Sequence, residues 1–255
     1  MLKQWQRLLI SGTAILIFLI IWELAMPLGL VKIADISRPS LVAKAFLELA
    51  ASGEVFQPLY ISLKGFTIGF VIALVVGIPL GVALGRYRIF SLLIDPLWMA
   101  LYTMPRLAMM PLLVVWFGVG FGATIAVVFL GAVFPIVVNT AVGIREVDPV
   151  WVRAVRSFGG SEWDIFRKVL LPGSVPPMMI GIRLGVGRGL LGMVVSEMFA
   201  STEGIGGQIG LYGMSFRTSE LIALIAVVSL LGFVFVDIMR WVEDKVSKGR
   251  AEVQW

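Results

Sequence analysis

The sequence predicts an all-helical integral membrane domain with about six transmembrane helices, and three observations carry that prediction. Apolar residues make up 59% of the 255 positions and charged residues 15%, against roughly 45–50% and 25% in soluble domains. The mean hydropathy is +0.97. Long apolar runs alternate with short polar segments, and a bilayer core of roughly 30 Å needs about 20 helical residues per crossing. No segment between the runs is long enough for an aqueous core of its own, so residues 1–255 read as a single membrane domain.

The first span, 8–30, follows the cations Lys3 and Arg7. Its apolar stretch is longer than a signal-peptide core and no small-residue cleavage site follows, so it is expected to stay as a span. In the polar segment after it, Ser37-Arg38-Pro39-Ser40 is a helix-start pattern. The helix should run to about Ala51 along the outer surface, with Leu41, Ala45 and Leu49 on one face. Spans two, three and four are placed at 59–85, 89–117 and 123–144, the last two joined in a hairpin by the uncharged Gly118-Val119-Gly120-Phe121-Gly122. Spans five and six are placed at 174–200 and 221–241. Lys3, Arg7, Arg86, Arg88, Arg145, Arg240 and the cations of the 148–173 segment then fall on one side, and Lys32, Arg38, Lys44 and Arg217 on the other. The positive-inside bias puts both termini in the cytoplasm, with a tail over 242–255.

The long polar interruption, 148–173, reads as two short amphipathic helices. Asp148 is a cap and Pro149 suits the first helical position. Gly159-Gly160 lets the backbone break. Ser161 caps again, Asp164 completes an approximate capping box, and Leu171-Pro172-Gly173 is expected to end the second helix. Trp151, Val155 and Phe158, then Trp163, Phe166 and Val169 or Leu170, recur at helical spacing, so each helix carries one apolar face that needs a partner.

The chain has no Cys and no His, which excludes thiolate and imidazole chemistry. An intramembrane lipid-modifying enzyme is the rival from another class. Ser196-Glu197 invites it, but the spans hold no clustered carboxylates. The net charge of +5 belongs to membrane topology rather than to nucleic acid. Gly187-Arg188-Gly189-Leu190-Leu191-Gly192 fits a dinucleotide-binding spacing only formally, because it lies inside a span rather than at a strand-to-helix turn. No P-loop pattern occurs, so any ATP must be handled by another subunit. Gly77, Gly81, Gly85 and Gly181, Gly185, Gly189 repeat a small residue every four positions, which favours tight helix contact in lipid.

Ionisable residues inside spans are costly, roughly 2.5 kcal/mol or more at the centre, so each needs an account. Glu23, Asp95 and Asp237 are expected to snorkel or pair locally. Arg183 and Glu197 share a helix face about 21 Å apart and are candidates for opposite mouths of one polar path, the alternative being that Arg183 anchors the cytoplasmic end of the helix and Glu197 the outer end. Met104, Met109 and Met193 are candidates for its adaptable lining.

The 148–173 segment, with Val175-Pro176-Pro177, Gly181-Ile182-Arg183 and Val195-Ser196-Glu197-Met198 after it, resembles the signature region of bacterial ABC-importer permeases. That family's loop has an EAA triplet, a glycine four residues after it, and a downstream Leu-Pro. Here the triplet falls on Arg153-Ala154-Val155, the glycine on Gly159 and the pair on Leu171-Pro172. Arg153 and Val155 depart from the pattern. Arg38-Pro39-Ser40, the Gly77 to Gly81 stretch, the Met104 to Pro111 stretch with Trp116-Phe117-Gly118, and Glu203-Gly204-Ile205-Gly206 are similar to the nitrate, sulfonate and taurine importer branch.

The resemblance implies a type I ABC importer permease fold in a bacterial inner membrane. Residues 146–173 would be the coupling loop, with Trp151, Arg153, Ala154, Val155, Phe158, Gly159, Ser161, Trp163, Phe166, Leu171 and Pro172 as its working residues. It implies two ATPase subunits that carry ATP and Mg, a second permease copy, an extracytoplasmic solute-binding protein and a small anionic solute. The chain itself would bind no cofactor and catalyse nothing. A passive channel or secondary transporter is the alternative, and it would need no docking loop.

Overall fold

The computed structural model describes residues 4–25, 37–201 and 203–247, and among these there are helices and no strands. The helices are α1 (Gln4–Ala25), α2 (Pro39–Ser52), α3 (Phe56–Arg86), α4 (Arg88–Thr103), α5 (Met110–Phe117), α6 (Phe121–Arg145), α7 (Pro149–Ser157), α8 (Glu162–Ile165), α9 (Leu171–Ala200), α10 (Ile205–Met214) and α11 (Thr218–Ser247). Four stretches are long and apolar enough to cross a bilayer: Phe56–Arg86, Phe121–Arg145, Glu162–Ala200 and Thr218–Lys245. A shorter apolar helix covers Gly12–Ala25. The rest of the first predicted span, 26–30, lies outside the described residues, as does the tail beyond 247.

The third predicted span, 89–117, is not one helix. Met104 is extended (φ −63°, ψ 131°), as the residue before Pro105 must be to avoid its ring. A 3-10 turn, Arg106–Met109, follows, and α5 restarts with Pro111 in its first turn. The break divides the run into α4 and α5, neither of spanning length. Pro96 and Pro135, by contrast, sit inside continuous helices.

Helix α6 is the centre of the bundle. Ala132, Ile136 and Val137 on it are fully buried, and both glycine rows are spent on it. A Cβ at Gly81 would lie 2.6 Å from Thr140 Cβ, and one at Gly85 2.6 Å from Ile144 Cβ. On the other side, a Cβ at Gly181 would lie 2.6 Å from the Pro135 carbonyl oxygen. The tight contact expected of α3 and α9 is thus made largely through α6. They meet directly where Phe66 passes Gly189, 3.1 Å from where its Cβ would stand. Helix α11 packs on α9 at Gly232 and Leu190 and leaves Leu230 and Phe233 exposed, as a lipid-facing helix can.

At the end of the bundle away from the 148–173 loop, two short helices have poor caps of their own. The N-cap of α2 is Arg38 and that of α10 is Gly204, and neither side chain caps. A carboxylate from a neighbouring helix serves each. Glu23 accepts from Ser40 N (2.9 Å) and Ser40 Oγ (2.7 Å). Glu197 accepts from Gly206 N (2.9 Å) and from Ser62 Oγ (2.7 Å), whose oxygen in turn accepts from Ile205 N (2.9 Å). Helix start sites leave backbone N–H groups unpaired, and these bonds satisfy some of them, at the exposed start of α2 and at the buried start of α10. The predicted surface helix is α2, with Ala45 and Leu49 buried and Leu41 exposed.

Candidate functional site

The polar loop folds as its local grammar dictates. Asp148 Oδ1 accepts from Val150 N at 2.8 Å, and Ser161 and Asp164 form a reciprocal capping box. Helix α7 ends in a Schellman turn: Gly160 N donates to Val155 O and Gly159 N to Arg156 O, both at 2.9 Å. Gly159 is left-handed (φ +77°) with open space around it. Gly160 is needed for a different reason, since a Cβ there would come within 2.4 Å of Val155 Cγ1.

The expected stop at Leu171-Pro172-Gly173 is corrected by the structure. Residues Phe166–Leu170 form a π turn, with Leu171 N donating to Phe166 O, and the helix runs on into α9. The wider turn accommodates Pro172, which has no N–H to donate and a ring that would otherwise press on the preceding turn. Helix α8, the π turn and α9 are therefore one rod, Glu162–Ala200.

The two apolar faces divide between the bundle and solvent. Ile165, which the pattern did not single out, is fully buried with Ile144 and Leu170, and Val152, Val155 and Phe166 pack around them. Trp151, Phe158 and Trp163 are exposed at 64%, 93% and 65%. Arg153 is exposed, and Ala154 half-buried. Glu162 receives both Arg86, from the end of α3, and Arg156, so it ties the loop to the bundle. Nearby, Arg145 donates to Leu84 O and Ser91 Oγ and lies 3.7 Å from Asp95, the local pairing expected of Asp95.

The residues proposed for a polar path do not converge. Arg183 pairs with Glu243 of α11, fastening two helices. Glu197 is 2% exposed and is occupied in capping α10, and Met193 lies in the core beside α3 and α6. Met109 is half-buried against Met110, Leu113 and Ala123. Met104 lines a cleft, a cavity of about 410 Å³ bounded by Tyr102, Met104, Pro105, Val127, Gly131, Arg188, Leu191 and Gly192. It lies where α4 breaks off beside α6 and α9. Arg188 donates through Nη1 and Nη2 to Tyr102 Oη at 3.3 and 3.2 Å. Tyr102 carried no sequence signal beyond its place before Pro105.

An all-helical bundle with several membrane-length helices and a capped, aromatic-faced loop at one end is the fold of a multi-pass membrane protein. The sequence matches the family of binding-protein-dependent transport system inner membrane components over residues 73–248, and the chain belongs to that family. It is 40% identical over 217 residues to a protein of Escherichia coli (strain K12) named as an aliphatic sulfonates transport permease, SsuC, covering 83% of this chain and 81% of the relative. It is 28% identical to the taurine transport system permease TauC of the same organism, covering 98% of this chain and 92% of TauC. In structure it is similar to a crystallised amino acid ABC transporter, with a TM-score of 0.63 at 18% identity over 78% of this chain and 98% of that one. The chain is an ABC-importer permease, a transport component.

Proposed function

We propose that two identical copies of the chain form the membrane path of an importer and that each hands residues 146–173 to a cytoplasmic ATPase subunit. ATP and Mg belong to that ATPase, and a solute-binding protein delivers a small anion from the other side. Both termini lie in the cytoplasm. The observation that carries this reading is the division of the loop: Ile165, Val155 and Phe166 hold it on the bundle, while Trp151, Phe158 and Trp163 stay uncovered. Large exposed aromatics on a fixed scaffold are the usual anchors of a protein interface.

ATP binding by the engine would favour one packing of the bundle and hydrolysis the other, a population shift set by differential affinity. The anionic solute is supported by the names of SsuC and TauC and by Arg188 in the cleft. Reconstitution of the permease with its ATPase and binding protein in proteoliposomes tests the proposal. Uptake of alkanesulfonate or taurine should require both partners and ATP. Uptake by the permease alone, without ATP, would favour a passive channel or secondary transporter instead.

A further inference from the structure

We propose that the cleft where α4 breaks off is an anion subsite in the membrane path, with Arg188 as its cation and Tyr102 as the residue that positions it. The site would take an organic anion of the sulfonate or carboxylate class with a short apolar tail. The identification of the anion as transported solute rests on the importer reading above.

Position is the first argument. Arg188 stands 12 residues before the end of α9 at Ala200, about 18 Å along the axis, near the middle of the span. A cation there is among the most expensive residues a membrane helix can hold, and such residues face cavities or partners. The second argument is what surrounds it. Arg183 and Arg145 each have a carboxylate partner, whereas the ion pairs among the described residues do not include Arg188.

The guanidinium donates to a neutral phenol, shared by two nitrogens at 3.3 and 3.2 Å, long for N–H···O bonds. The guanidinium also lies 5.5 Å from the Tyr102 ring centre. Tyr102 thus aims the guanidinium without neutralising it, and an arriving anion could replace a weak acceptor with a bidentate, charge-assisted one. Shape is the third argument. A cavity of about 410 Å³ falls in the usual range for small-molecule sites, and one cation among mostly apolar walls is the usual design. Met104, Pro105, Val127 and Leu191 supply the walls.

The natural absence of cysteine allows a direct test. Met104→Cys places one thiol at the cleft, and its modification rate is measured with an anionic alkylsulfonate methanethiosulfonate and with its cationic ammonium counterpart. The anionic reagent should be favoured about tenfold or more over the ratio at a single cysteine replacing exposed Leu47 of the surface helix α2, the scale of electrostatic focusing in a cleft. Arg188→Gln should abolish the preference, Arg188→Lys should keep much of it, and Tyr102→Phe should reduce it. An unchanged ratio in Arg188→Gln would overturn the site.

In proteoliposomes with ATPase and binding protein, Arg188→Gln should cut ATP-driven alkanesulfonate uptake at least tenfold, and Arg188→Lys should restore part of it. Wild-type rates in Arg188→Gln would also overturn it. If Arg188→Gln does not purify as a folded complex, Arg188→Lys and Tyr102→Phe carry both measurements, and wild-type values in both would overturn the site. Charge-dependent labelling with no uptake of any anion by the wild-type complex would leave the subsite standing and refute the importer reading.

Discussion

Replacing Glu197 by alanine should loosen α10 far more than it loosens the rest of the bundle. The carboxylate accepts from Gly206 N at 2.9 Å and Ser62 Oγ at 2.7 Å, and through Ser62 it also holds Ile205 N. Each hydrogen bond to a charged acceptor contributes about 1.5–3 kcal/mol, and a buried donor left unpaired costs about 1–3 kcal/mol. The cost of the substitution is therefore on the order of 3–5 kcal/mol, or roughly 10²- to 4 × 10³-fold in a local opening equilibrium at 1.4 kcal/mol per tenfold. Glu197→Gln keeps an acceptor and should cost only about 1 kcal/mol.

Hydrogen exchange of α10 amides, read by mass spectrometry on the purified protein, measures the effect. Alanine should accelerate exchange over 205–214 at least 30-fold and glutamine less than tenfold. Ser62→Ala should combine with Glu197→Ala non-additively, because the two share one oxygen. Equal exchange in the alanine and glutamine variants, or additive effects with Ser62→Ala, would refute the relay.

Gly81→Val should destabilise the permease by about 1–3 kcal/mol, because the new Cβ would start 2.6 Å from Thr140 Cβ. Gly187→Ala, facing open space, should be neutral, and thermal unfolding in detergent distinguishes the two. Phe158→Ala should leave unfolding unchanged, since the ring is exposed, yet weaken ATPase association about 30-fold if it is an interface anchor worth about 2 kcal/mol; a titration of ATPase onto immobilised permease measures it. Exchanging charges, Arg183→Glu with Glu243→Arg, should recover much of the stability that either change alone loses, because the pair is largely enclosed. A double-mutant cycle on thermal unfolding gives the coupling, and a coupling near zero would remove Arg183 from the fastening of α9 to α11.

What was legible in the sequence is what near neighbours decide. Asp148, Ser161 and Asp164 bond to groups within three residues, so their capping roles could be read from spacing, as could the glycine doublet. Hydropathy located the four membrane-length helices for the same reason. It failed at 89–117, where Pro105 and Pro111 override a continuous apolar run.

Distant partners stayed out of reach. Arg183 meets Glu243 60 positions away, and Glu197 meets Ser62 135 positions away, and no local spacing announces either pairing. Helix α10 is rich in glycine and borrows its cap from α9, which deprived it of a local start signal. Leu-Pro-Gly does not stop the helix because a π turn, with only one extra residue, carries it past Pro172, and nothing in composition announces that turn.

That π turn leaves the second loop helix continuous with a membrane helix, from Trp163 to Glu197 over roughly 50 Å of axis, with Pro176-Pro177 inside it. Force applied at the tryptophan would travel like thrust along a piston to the carboxylate from which α10 is suspended. Slack in such a mechanism would sit at the Gly159-Gly160 corner, at the bend before Asp148 or at Pro176-Pro177, where the helix lacks two backbone donors, and the far rim of the bundle would feel each stroke.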